Sequence, residues 1–202
     1  MKRYGLVFAA VGVIIVLVKV CAGSVVWIDY NFGAHFPGSY TYTWDFDYEL
    51  QQLTTEETIL ELQSDSSWRF YIAGRVDSES TFNVVRTITN NTGIAWTGYR
   101  MTPAPPPVAG VTAGILCESI QTTKLKGIAC PAHPDWTLRF SGPPFVLDGE
   151  SFTMSFDMHT RYDATRDGLF SADWNSTPIP EPITLLLLGL GGLLLRKKRT
   201  SI

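Results

Sequence analysis

The sequence predicts an all-β protein, an antiparallel β-sandwich of seven to nine strands. Three observations carry that expectation. Apolar and polar residues alternate with period two along most of the middle of the chain. The alternating runs are short, and glycine- and proline-rich turn signals separate them.

The elements follow in chain order. "VVWIDYNF" opens the series. In "YTYTWDFDYEL" an aromatic row (Tyr40, Tyr42, Trp44, Phe46, Tyr48) with Leu50 opposes a row of Thr, Asp and Glu. This predicts a half-buried strand whose aromatic side meets the core. "TTEETILELQ" is balanced between a capped helix and a strand, and its "TILEL" part is the weaker strand candidate. "SSWRFYIAGRV" aligns Trp68, Phe70, Ile72 and Val76, and "TFNVVRTIT" aligns Phe82, Val84 and Ile88 with Arg86 breaking the stripe. "IAWTGYRM", "WTLRF" (Trp136, Leu138, Phe140) and "SFTMSFDM" (Phe152, Met154, Phe156, Met158) complete the set.

"NNTG" at Asn90 to Gly93 is expected to turn a hairpin between two of these runs. "SGPP" and "LDGE" are expected to punctuate two more. "TPAPPPVAG" reads as a long surface connection, because proline cannot donate to a ladder.

The two ends of the chain read as targeting segments. Met1 to Gly23 has a basic start at Lys2 and Arg3, an apolar stretch from Gly5 to Val18 and small residues at Ala22 and Gly23. That is the pattern of a secretory signal helix, removed by signal peptidase. Residues 24–177 are then the exported domain, and residues 178–202 a terminal sorting and anchoring segment. The apolar run Ile183 to Leu195 is followed by Arg196, Lys197, Lys198 and Arg199, a basic stop expected to stay cytoplasmic. Thirteen helical residues span only about 20 Å against a hydrocarbon core of about 30 Å, so this transmembrane helix is a short hold.

Nine of the 16 basic and 18 of the 19 acidic residues fall within residues 24–177, which gives that domain a net charge near −9. Such a surface disfavours nucleic acid as a partner. Cys117 and Cys130 are an even pair in an exported chain and are expected to form a disulfide.

No catalytic motif stands out. His35, His133 and His159 have no metal-ligand spacing, and neither a nucleophile elbow nor a phosphate loop occurs. No cofactor is therefore expected, with calcium the one candidate. "FDMHTRYDATRDGLFSADW" holds Asp157, Asp163 and Asp167, which either ligate calcium or form a solvated polar connection to the anchor. The polar connection is the preferred reading. Trp44, Trp68, Trp96 and Trp136 are assigned to the core by their place in alternating runs. Trp27 and Trp174 are less constrained.

At the carboxyl terminus three features occur in order: Pro180-Glu181-Pro182, the apolar run, and the four cations. This arrangement resembles the PEP-CTERM sorting signal of exported bacterial proteins. The resemblance implies that an exosortase reads Pro180, Glu181 and Pro182 as substrate residues. It also implies movement from the membrane to the cell surface or matrix. The expected function is structural or adhesive, in an exopolysaccharide or biofilm setting with extracellular polysaccharide as a partner. The alternative is a carbohydrate-binding module or glycan-processing enzyme.

Overall fold

A computed structural model describes residues 23–33, 40–62, 68–103, 113–130 and 137–181. Both apolar ends lie outside these residues, as do His35, His133, Trp136 and most of the proline-rich connection. The described chain is all-β, and eleven strands form two facing sheets. The first sheet contains β1 (Val25–Gly33), β4 (Trp68–Val76), β11 (Leu169–Pro180), β6 (Trp96–Pro103), β9 (Leu138–Val146) and β8 (Gly127–Ala129), in that spatial order. The second contains β2 (Tyr40–Asp47), β3 (Gln52–Ile59), β5 (Ser80–Asn90), β10 (Ser151–Thr160) and β7 (Gly114–Thr122).

Period two decides which residues fill the space between the sheets. β4 buries Trp68, Phe70, Ile72 and Val76, and β10 buries Phe152, Met154, Phe156 and Met158. Rings meet across the gap, with Tyr99 5.3 Å from Phe152 and Phe82 5.8 Å from Phe170. Each such side chain stabilises the fold by about 1.5–3 kcal/mol on burial.

The chain changes sheet at most of its connections. β5 and β6 lie in different sheets, so "NNTG" is an inter-sheet corner and not the expected hairpin. The Asn90 side chain builds that corner. Its Oδ1 accepts from the Thr92 N–H at 3.1 Å, and its Nδ2 donates to the carbonyls of Ile94 at 2.8 Å and Val146 at 3.1 Å. "LDGE" is a second corner, between β9 and β10. β3 crosses to β4 in the opposite sheet and returns as β5, so β3 and β5 pair in parallel. The other pairs of neighbouring strands are antiparallel.

Several expectations change. The strand count exceeds nine because β7 and the three-residue β8 have no clear period-two stripe, and β11 begins in what read as a polar connection. "TTEETILELQ" resolves in favour of a strand: Leu53, Thr55, Glu57 and Ile59 all point inward and are buried. "SGPP" lies within β9, at a place where the register with β6 shifts. The aromatic row of β2 is not a core row. β2 is the edge strand of its sheet, and only Phe46 is buried while Tyr42 and Trp44 are 36% and 39% exposed.

The two long edges are closed differently. Cys117 on β7 and Cys130 just after β8 form a disulfide with Cα atoms 6.0 Å apart, which ties one sheet to the other along one edge. At the opposite edge Tyr30 of β1 meets Tyr42 of β2 edge-to-face at 6.2 Å. At one end of the sandwich Gly168 (φ +73°) leads into β11, and a Cβ there would stand 2.0 Å from the Val76 carbonyl oxygen. Only glycine fits that approach.

Candidate functional site: the sorting segment and the buried inter-sheet cluster

β11 carries the chain out of the fold. Leu169 to Asp173 pair with β4, Trp174 to Ser176 with both β4 and β6, and from Thr177 onward the strand pairs with β6 alone. Pro178 is opposite Tyr99, Ile179 opposite Gly98 and Pro180 opposite Trp96. The Glu181 N–H then donates to the Ala95 carbonyl at 3.0 Å. Alternation along a strand puts the missing N–H groups of Pro178 and Pro180 on the side away from β6. The prolines therefore cost no ladder bond, as on an edge strand. Pro178 is buried, while Pro180 and Glu181 are half-buried. The strand thus runs three residues past Thr177, the expected end of the exported domain. Pro182 and the stop Arg196, Lys197, Lys198 and Arg199 lie outside the described residues.

The carboxylates considered for calcium are separately engaged. Asp157, on β10, accepts from Asn83 Nδ2 at 2.8 Å. Asp163 caps the 3₁₀ turn Ala164–Arg166 and accepts from the Thr165 hydroxyl and N–H at 2.6 and 2.9 Å. These two bonds hold its carboxyl below the usual range. Asp167 accepts from Arg75 Nη2 at 2.6 Å. Among the described residues, no three His, Cys, Asp or Glu side chains are grouped to hold a metal. His159 pairs with Glu79, Nε2 to Oε1 at 2.9 Å.

The preferred polar-connection reading of this stretch is corrected in part. Only residues 161–168 connect strands, and Asp173 lies in β11, buried and bound bidentately by Arg69. Trp174 is also buried, stacked against Phe70 at 6.3 Å.

The most unusual polar group lies in the core. Glu57 of β3 and Arg86 of β5, whose side chains are both fully buried, form a fork: Nε to Oε1 at 2.9 Å and Nη2 to Oε2 at 2.6 Å. Thr55 donates to Oε1 at 2.9 Å, and the Tyr30 hydroxyl donates to the same oxygen from the facing sheet. The guanidinium lies 4.0 Å from the Phe70 ring centre, and Nη1 reaches Ser176 Oγ at 3.5 Å. Ion pair, hydroxyls and ring together join β1, β3, β4, β5 and β11.

Burial alone lowers the Arg86 pKa, but the Glu57 carboxylate outweighs it and the guanidinium stays charged. Burial, reinforced by Glu57, raises the Tyr30 phenol well above its ordinary value. Burial pushes Tyr99 up to about 12. No well-formed hydrogen bond reaches the Tyr99 hydroxyl, although Arg86 and Ser176 adjoin it. The sequence did signal half of this cluster, through Arg86 breaking an apolar stripe. Glu57 was masked by its resemblance to a helix-capping acid.

The fold and its exit strand define the class: an acidic, disulfide-linked β-sandwich whose last strand leads into a carboxyl-terminal targeting segment. Residues 178–199 match the PEP-CTERM protein-sorting motif, so the chain carries this signal at its carboxyl terminus. Comparison with curated proteins finds no match. The motif implies export, membrane-associated sorting and processing by an exosortase. Among the described residues no helix is long and apolar enough to cross a membrane.

Proposed function

We propose that the protein is a non-enzymatic surface or matrix component, structural or adhesive among extracellular polysaccharides. It is exported by signal peptidase cleavage after Gly23 and released from its carboxyl-terminal anchor by an exosortase. The observation that carries this reading is the sorting motif at residues 178–199, joined directly to a folded sandwich. The acidic surface and the disulfide support an extracellular setting. No cofactor is needed for such a role.

Replacing Pro180-Glu181-Pro182 by three alanines in the native host tests the sorting half. The expected outcome is an unprocessed chain retained in the membrane fraction, and unchanged size and surface localisation would refute it.

A second reading, a carbohydrate-binding module, is favoured by Tyr42 and Trp44. These rings stand two residues apart on an edge strand and are 36% and 39% exposed. A glycan array separates the two readings. Saturable binding that is lost in Trp44→Ala makes the protein a glycan binder, and absence of binding leaves the structural role.

A further inference from the structure

The sorting tripeptide does not begin in a free tail. Pro180 still pairs with Trp96, which is fully buried, and the Glu181 N–H is committed to the Ala95 carbonyl. The Thr97 hydroxyl donates to the Ile179 carbonyl at 3.4 Å. The apolar run starts at Ile183, two residues beyond Glu181. Two residues reach at most about 7 Å even when extended, so little chain separates the paired strand end from the start of the apolar run. An enzyme that binds this segment as an extended peptide needs its backbone donors and acceptors, as in strand addition. Here β6 already holds some of those groups.

We propose that Ala95, Trp96 and Thr97 at the start of β6 are positioning residues for sorting. They hold Ile179 to Glu181 in the sheet, and the exosortase gains the tripeptide only when this strand end detaches. Fraying of a strand end is a low-energy local opening that leaves the core intact. Prolines at 178 and 180 favour it, because neither ties the chain to a further strand. Sorting and folding thus compete for the same few residues. A well-folded domain presents the signal intermittently. This inference rests on the exosortase reading above.

Pulse-chase processing of the full chain in the native host tests it with two variants. The first inserts ten Gly and Ser residues between Ile179 and Pro180, which frees the tripeptide from β6. The second, Gly98→Cys with Ile179→Cys, staples the strand end. A Cβ at Gly98 would stand 3.4 Å from the Ile179 Cβ, close to the separation a disulfide spans. Non-reducing mass analysis establishes that the staple has formed, and a thermal melt of each purified chain establishes that it has folded.

The linker variant is expected to be processed faster by a factor on the order of ten, the equivalent of one or two net hydrogen bonds. The stapled variant, whose chain length before the apolar run is unchanged, is expected to be processed at least that much more slowly. A linker variant processed at the parent rate overturns the proposal. So does a stapled variant processed at the parent rate, because access alone would then explain any gain from the linker. The triple-alanine tripeptide serves as control: if it is processed like the parent, the exosortase reading itself has failed.

Discussion

Replacing Arg86 by methionine should be among the most damaging single changes in the core. Arg86 and Glu57 have fully buried side chains and share two hydrogen bonds, at 2.9 and 2.6 Å. Arg86→Met keeps much of the volume and the contact with Phe70 but leaves the Glu57 carboxylate without its cation. The remaining donors, Tyr30 and Thr55, are neutral and cannot balance a buried charge. Breaking a buried pair in this way costs about 3–5 kcal/mol. For a domain of this size each kcal/mol lowers Tm by about 2–4 °C, so the expected fall is about 6–20 °C. The double variant Glu57→Leu with Arg86→Met removes both charges and strands only neutral hydroxyls, those of Tyr30, Thr55 and Ser176, at about 1–3 kcal/mol each. It should therefore be no less stable than Glu57→Leu alone, which strands the guanidinium. Thermal and urea unfolding of the parent, the two single variants and the double variant complete the cycle. An Arg86→Met chain within about 1 kcal/mol of the parent, or single-variant costs that simply add, would refute the reasoning.

Two further outcomes follow from the same architecture. Cys117→Ser with Cys130→Ser should lower stability by about 3 kcal/mol, the loop-closure contribution of a link this short in sequence. Because that link joins the sheets, deuterium exchange should rise first in β7 and β8. The alkaline limit should be set by buried phenols. Tyr30 is raised well above its ordinary value and Tyr99 to about 12, chiefly by burial. The folded state therefore keeps protons that the unfolded chain loses from about pH 10 upward. Stability is complete below that pH and falls as pH rises through the folded values. Tm measured between about pH 8 and 12 checks this, and a flat profile contradicts it.

Much of the fold was legible because side chains on strands alternate, and alternation survives translation into burial for β4, β5 and β10. It failed for β2, since period two reveals that a strand has two faces but not whether a neighbouring element covers the apolar one. Tyr42 and Trp44 lie on an edge strand, and among the described residues they stay 36% and 39% exposed although Tyr30 meets Tyr42 there. It also failed for β11, whose Asp173, Asn175 and Ser176 look like a solvated link. Asp173 is affordable there only because Arg69, distant in sequence, binds it. Corner and hairpin are indistinguishable locally: Asn90 to Gly93 turns the chain in either case, and only long-range pairing shows that β6 joins the opposite sheet. The sorting signal was fully legible because a sorting enzyme must read it as local sequence. Its pairing with β6 was not, because prolines at 178 and 180 argue against a strand unless one knows that their missing donors face an open side.

The carboxyl terminus of the mature surface protein tests the account most directly. Intact-mass analysis of surface-released material should give a chain that ends at or near Pro182, lacks Ile183 to Ile202, and retains all of β11. Recovery of the surface protein with Arg196 to Arg199 still attached would contradict sorting by cleavage. A terminus well inside β11 would contradict the continuity of fold and signal.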